Sequence, residues 1–180
     1  MSVLAAIISF LTFPGVIVHE WAHKQFCDRA GVPIAKVRYF RLGNPAGYVI
    51  HAPATRYHHA VLIDIAPLLV NTLLALLFFC VAMFVVDRIA IYVLCWLGIS
   101  IGMHAFPSGE DANNLWKDTR KALPKNPLAY ICLPLVGLIK LAQLLRFIWF
   151  GLLYAVALLI LVAYLMQGME FFNVITEIHA

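Results

Sequence analysis

From Val3 to Val18 the chain carries no charged side chain, and the next six positions hold His19, Glu20, His23 and Lys24. An apolar run of this length is expected to be a helix in lipid, where every backbone N–H and C=O must be satisfied internally. Ionisable residues in such a helix are costly, and by default they mark function. On a helix, positions i and i+4 share a face, about 6 Å apart along the axis. His19 and His23 can therefore offer ring nitrogens to one metal ion. Glu20 sits beside the first of them, placed to take a proton from a metal-bound water. The plainer alternative is a helix that has reached the headgroups, where His, Glu and Lys cost little. The internal order His-Glu-x-x-His favours the metal.

Composition points the same way. Of 180 residues, 63% are hydrophobic and 12% charged, and mean hydropathy is +0.89. A soluble domain carries roughly twice that charge, so an integral membrane protein embedded in a lipid bilayer is expected. The net charge of +4 suits loops beside anionic lipid and gives no footprint for nucleic acid. Cys27, Cys80, Cys95 and Cys132 are far apart, with no Cys-x-x-Cys pair, so neither a disulfide framework nor a thiolate zinc site is expected. Cys27 lies eight residues after His19, about 12 Å along a helix, and is read as a packing residue. No cleavable signal is expected, because the first span lacks a basic n-region and its removal would take the candidate site with it.

The expected fold class is an all-α polytopic membrane protein: about four transmembrane helices, an interfacial or re-entrant helix, and a short β-hairpin near the site. Residues 1–180 form one membrane domain, with a three-span core over 1–115 and a basic connector, amphipathic helix and final span over 116–180. Span one is expected over 2–26, where Pro14 and Gly15 can bend the helix one turn before His19. The stretch 27–57 is polar and basic, with strands over 37–40 and 48–50 around a turn at Asn44-Pro45-Ala46-Gly47. The edge of that hairpin can take an extended substrate through backbone hydrogen bonds; the alternative is a connecting loop. Span two, over 60–86, contains Asp64, Pro67 and Asn71, which need internal partners. Asn71 is a candidate donor to a developing oxyanion or an interhelical hydrogen-bonding residue. Span three is expected over 89–106, a basic connector over 117–125, and a final span over 147–166. Between the last two, 128–145 reads as an interfacial or partly inserted helix, because Lys140, Gln143 and Arg146 recur every three residues on one face.

A metal held by two histidines needs a third protein ligand, leaving the fourth place for water. Asp111 is the first choice, with Glu110 and His104 as rivals. Orientation follows from the basic loops: of the 13 Lys and Arg, only Arg88 falls outside the loops after spans one and three and the interfacial segment. Those loops are predicted to be cytoplasmic, in the cell membrane. Both termini then lie outside, in keeping with Glu170 and Glu177 in the tail, and His19, His23 and Asp111 all fall at cytoplasmic ends of spans.

These residues resemble the site-2 protease family of intramembrane zinc metallopeptidases. His19-Glu20-Trp21-Ala22-His23 is similar to its zinc and base motif, and Gly47-Tyr48-Val49 to the strand that follows. Ala66-Pro67-Leu68-Leu69-Val70-Asn71 resembles its Gly-Pro-x-x-x-Asn segment, with Ala66 in place of Gly. Ala105-Phe106-Pro107 through Asp111 resembles the Pro-rich segment ending in Asp-Gly, with Ala112 in place of Gly. The resemblance covers the first 115 residues or so. It implies Zn2+ on His19, His23 and Asp111, Glu20 as general base, and Asn71 holding substrate or oxyanion. The implied partner is a membrane protein or transmembrane peptide, cut as a substrate.

Two other classes compete. His51, His58, His59 and His104 invite comparison with histidine-box di-iron oxygenases, although only His19/His23 and His58/His59 are clustered. A non-catalytic membrane scaffold or metal-binding regulator is the other, and it leaves Glu20 without a purpose.

Overall fold

A computed structural model describes the backbone of residues 3–178 and the side chains of 7–145 and 148–168. The expected first span is two helices, not one: α1 (Val3–Leu11) and α2 (Phe13–Ala30). The break falls at Thr12, and Pro14 occupies the first turn of α2, where its missing N–H costs nothing. Ser100 pins the junction, since its hydroxyl donates to Thr12 O at 3.0 Å and accepts from Gly15 N at 3.0 Å. Gly31, at φ 64°, ends α2 in the left-handed conformation that glycine adopts without strain.

The hairpin forms as an antiparallel pair, β1 (Ile34–Arg38) and β2 (Tyr48–His51), with Val37 opposite Val49 and Arg38 opposite Tyr48. A bulge lies between Ile34 and Lys36. Under its base Cys27 of α2 clusters with Val32 and Ile63, with Ile34, Ala52 and Ala54 around them. Cys27 is thus a core residue, as its position on the helix suggested.

Next come α3 (Tyr57–Phe84) and α4 (Arg88–Met103), joined by a tight turn in which Asp87 Oδ1 caps α4 by accepting from Ala90 N at 2.8 Å. Residues 117–125, expected as a connector, belong mostly to a helix, α5 (Gly109–Ala122). Ser108 starts it with a reciprocal capping box closed by Asp111. Then follow α6 (Pro127–Leu144), a 3₁₀ turn (Leu145–Ile148) and α7 (Phe150–Ile178).

Three helices among the described residues are long and apolar enough to cross a membrane: α3, α6 and the Phe150–Gly168 part of α7. This is consistent with an integral membrane protein, but the set differs from the expected one. α6, read from sequence as interfacial, has the length and apolarity of a span because its polar residues crowd into its last turns. Arg146 lies beyond its end, in the 3₁₀ turn, and its side chain is outside the described residues, as are those of Glu170 and Glu177. α4 has 16 residues, about 24 Å, short of the roughly 30 Å hydrocarbon core.

Packing divides α3 into two halves. Near its start, Val61 and Ile65 meet Ala112 and Leu115 of α5 and Val136 and Ile139 of α6. Further along, Ala75 and Phe79 meet Leu158 and Val162 of α7. Lipid is as apolar as these side chains, so close fit between helices has to hold the bundle. Gly98 on α4 supplies such a fit, because a Cβ there would enter the Phe79 ring.

Candidate metal centre

α2 crosses α3 and α4, and its buried face carries Gly15, His19, Glu20 and His23. Gly15 allows the crossing: a Cβ there would collide with the backbone carbonyl of Ser100 and come within 2.7 Å of His104 Nδ1. The two motif histidines are 8% and 5% exposed, so they face the protein and not the headgroups.

Their orientation is fixed by backbone carbonyls. His19 Nδ1 is 2.7 Å from His104 O, and His23 Nδ1 is 2.9 Å from Ile63 O. A carbonyl can only accept, so each Nδ1 carries the proton and each Nε2 keeps its lone pair. Both carbonyls are available for identifiable reasons. His104 is the C-cap of α4, where carbonyls have no helical partner. Ile63 lies four residues before Pro67, inside α3, and Pro67 has no N–H to give it. The apolar helix thus frees an acceptor where the second histidine needs one.

The two Nε2 atoms lie 3.2 Å apart. Asp111 Oδ2 is 3.4 Å from His23 Nε2 and 3.9 Å from His19 Nε2. Ligand atoms of His19, His23 and Asp111 all fall within 4.8 Å of one another. Two nitrogen lone pairs and one carboxylate, converging with their other atoms already bonded, could hold one metal ion.

Glu20 is 8% exposed and lies under the hairpin. A Cβ at Gly47 would meet Glu20 Cγ at 2.6 Å and Tyr39 O at 2.9 Å. The chain before β2 therefore rests directly on the carboxyl-bearing side chain.

Of the rival ligands, Glu110 is exposed. The His104 ring donates from Nδ1 to Ser100 O at 2.9 Å, and its contribution to the centre is its carbonyl. Asn71 is fully buried, and its Nδ2 donates to Gly15 O, Ile101 O and His104 O at 3.1–3.3 Å. Its amide hydrogens thus tie α2, α3 and α4 together around the His104 carbonyl. Among the described residues, no hydrogen-bond partner meets the buried Asn71 Oδ1. His58 and His59 pack ring against ring at 4.3 Å, and His51 Nδ1 donates to Ala52 O. None of the three joins a metal-ligating group among the described residues.

No protein-family model, curated protein or solved structure matches the chain.

Proposed function

We propose that this chain is an intramembrane zinc metalloprotease of the site-2 protease type, cutting peptide bonds of membrane-embedded substrates. One observation carries the reading: His19, His23 and Asp111 converge within 4.8 Å, with Glu20 next in sequence to the first and buried beside them. His19, His23 and Asp111 would hold the ion. Bound zinc would acidify a water and polarise the scissile carbonyl. Glu20 takes the proton of the attacking water and returns it to the leaving amine. His104 O and Ile63 O keep both imidazoles in the ligating tautomer throughout.

The hairpin supplies a place for substrate. A helical peptide bond is shielded, so the substrate must unwind, and an exposed sheet edge beside Glu20 can hold the unwound strand by backbone hydrogen bonds. If α1 with α2, α3, α4 and α7 are the four spans and α6, although long enough to cross, lies at the interface, the basic loops after the first and third favour a centre facing the cytoplasm.

The test is cleavage of a transmembrane peptide by the purified, zinc-loaded chain in liposomes, beside Glu20→Gln. The variant is expected to keep its metal and lose activity by about 10²–10⁴-fold. Equal cleavage by both proteins, or metal-loaded wild type that cuts no membrane peptide, would count against the protease.

A further inference from the structure

Asp111 reaches the histidines from a helix that is anchored elsewhere. α5 packs on α3 and α6 through Ala112 and Leu115. The distance from Asp111 to His19 and His23 therefore depends on how those neighbours seat the start of α5. Within α5 the carboxylate is locked by the capping box: Ser108 N donates to Asp111 Oδ2 at 2.9 Å, and Asp111 N donates to Ser108 Oγ at 3.2 Å. The same Oδ2 faces the imidazoles. Any shift of the first turn thus moves the ligand atom with it.

That turn is gripped from α6. Gln143 Nε2 donates to Gly109 O at 3.3 Å, and Lys140 Nζ donates to Asn113 Oδ1 at 2.6 Å. Lys140 Nζ also donates to Gln143 Oε1 at 2.7 Å, which fixes the amide with its NH₂ toward Gly109. Gly109 and Asn113 are four residues apart and share one face of α5. Asp111 lies two residues from each, about 200° around the helix. α6 therefore holds the back of the turn while Asp111 projects from the front. The arrangement is not one that α5 itself favours, since a cation beside a helix N-terminus opposes the helix dipole.

We propose that Lys140 and Gln143 are positioning residues of the metal centre, holding the first turn of α5 so that Asp111 faces His19 and His23. The inference rests on the metal reading above. It gives α6, which has no part in the chemistry, a role in setting metal affinity.

The test uses the full chain in detergent with Co2+ and Zn2+. Affinity is read by competition with a chromophoric chelator, coordination by the visible Co2+ bands, and fold by thermal unfolding of the metal-free protein. Lys140→Met and Gln143→Leu are each expected to weaken metal binding about tenfold, the low end of the cost of losing a group bonded directly to a ligand, and to alter the Co2+ bands. Lys140→Arg, which keeps a cationic donor, is expected to recover most of the affinity. Should either α6 variant fail to fold, Asn113→Ala removes the exposed end of the same anchor and is expected to weaken binding in the same direction. Wild-type affinity and wild-type Co2+ bands in the folded variants would overturn the inference alone. A wild-type chain that binds neither ion would overturn the metal reading and this inference with it.

Discussion

His23 Nε2 lies 3.2 Å from His19 Nε2, and both rings have their Nδ1 protons engaged by backbone carbonyls. Two lone pairs do not rest at that separation without a proton or a cation between them. The facing Asp111 carboxylate adds negative charge to the same point. The three side chains thus converge on one electron-rich point, which a proton or a metal ion can fill.

Removing either imidazole is therefore expected to abolish stoichiometric zinc, and removing Asp111 to weaken it beyond the roughly 10–100-fold cost of a supporting residue. Metal content of purified wild type, His19→Ala, His23→Ala and Asp111→Ala, measured after dialysis against a weak chelator, checks this. One zinc per chain retained by His23→Ala would show that the ion sits elsewhere.

Gly47 offers a separate handle on the base. An alanine methyl there would press on Glu20 Cγ and on Tyr39 O, at 2.6 and 2.9 Å. Overpacking of this kind costs typically about 1–3 kcal/mol, and here part of it is relieved by turning Glu20 away. Gly47→Ala is expected to bind zinc like wild type and to cleave at least about tenfold more slowly, short of the 10²–10⁴-fold loss of a missing base. Cleavage at the wild-type rate would mean that the hairpin does not constrain Glu20.

The meeting of His19 with His23 and the existence of the hairpin were legible in the sequence because each depends on local spacing: four residues between imidazoles, and an Asn-Pro-Ala-Gly turn before Tyr48, although the first strand is Ile34–Arg38 and not 37–40. What orients the ligands was not legible. His104 O and Ile63 O are backbone groups, and nothing in a residue's identity says which distant carbonyl it will meet. Asp111 could be chosen among neighbours, but its seat on a helix was missed. The signal was there, since Ser108-Gly109-Glu110-Asp111 has the Ser-x-x-Asp form of a capping box. The partners of Lys140 and Gln143 lie about 30 residues away in sequence, across a helix pair that periodicity alone does not dock. The break at Thr12 escaped for a similar reason, since it is fixed by Ser100 from another helix.

Pro67 is expected to act on the metal without touching it. Replacing it by alanine returns an N–H at position 67, which would draw Ile63 O back into the α3 ladder and straighten the helix. The His23 Nδ1 bond of 2.9 Å would then lengthen or be shared. Pro67→Ala is expected to stay folded, since the regained helical hydrogen bond offsets part of the cost of truncating the fully buried Pro67 ring, while its zinc affinity falls about tenfold, as for other supporting groups. Chelator competition together with thermal unfolding separates the two effects, and unchanged affinity in a folded protein would refute the coupling.

Asn71 distinguishes a scaffold from a catalytic donor. Its Nδ2 serves three carbonyls, one of which, His104 O, also accepts from His19 Nδ1. Asn71→Leu would leave those buried carbonyls short of a donor, at about 1–3 kcal/mol of stability. Asn71→Asp would set a carboxyl oxygen against them and is expected to be worse than the leucine. With the His104 carbonyl no longer tied, His19 loses its fixed orientation, so zinc affinity is expected to fall together with stability, and cleavage with both. A donor to the oxyanion would behave otherwise: Asn71→Leu would fold, bind zinc as wild type does, and lose about 10²–10³-fold in turnover alone. Measuring unfolding temperature, zinc affinity and single-turnover cleavage on the same preparations decides between the two, and the shared His104 carbonyl favours the first.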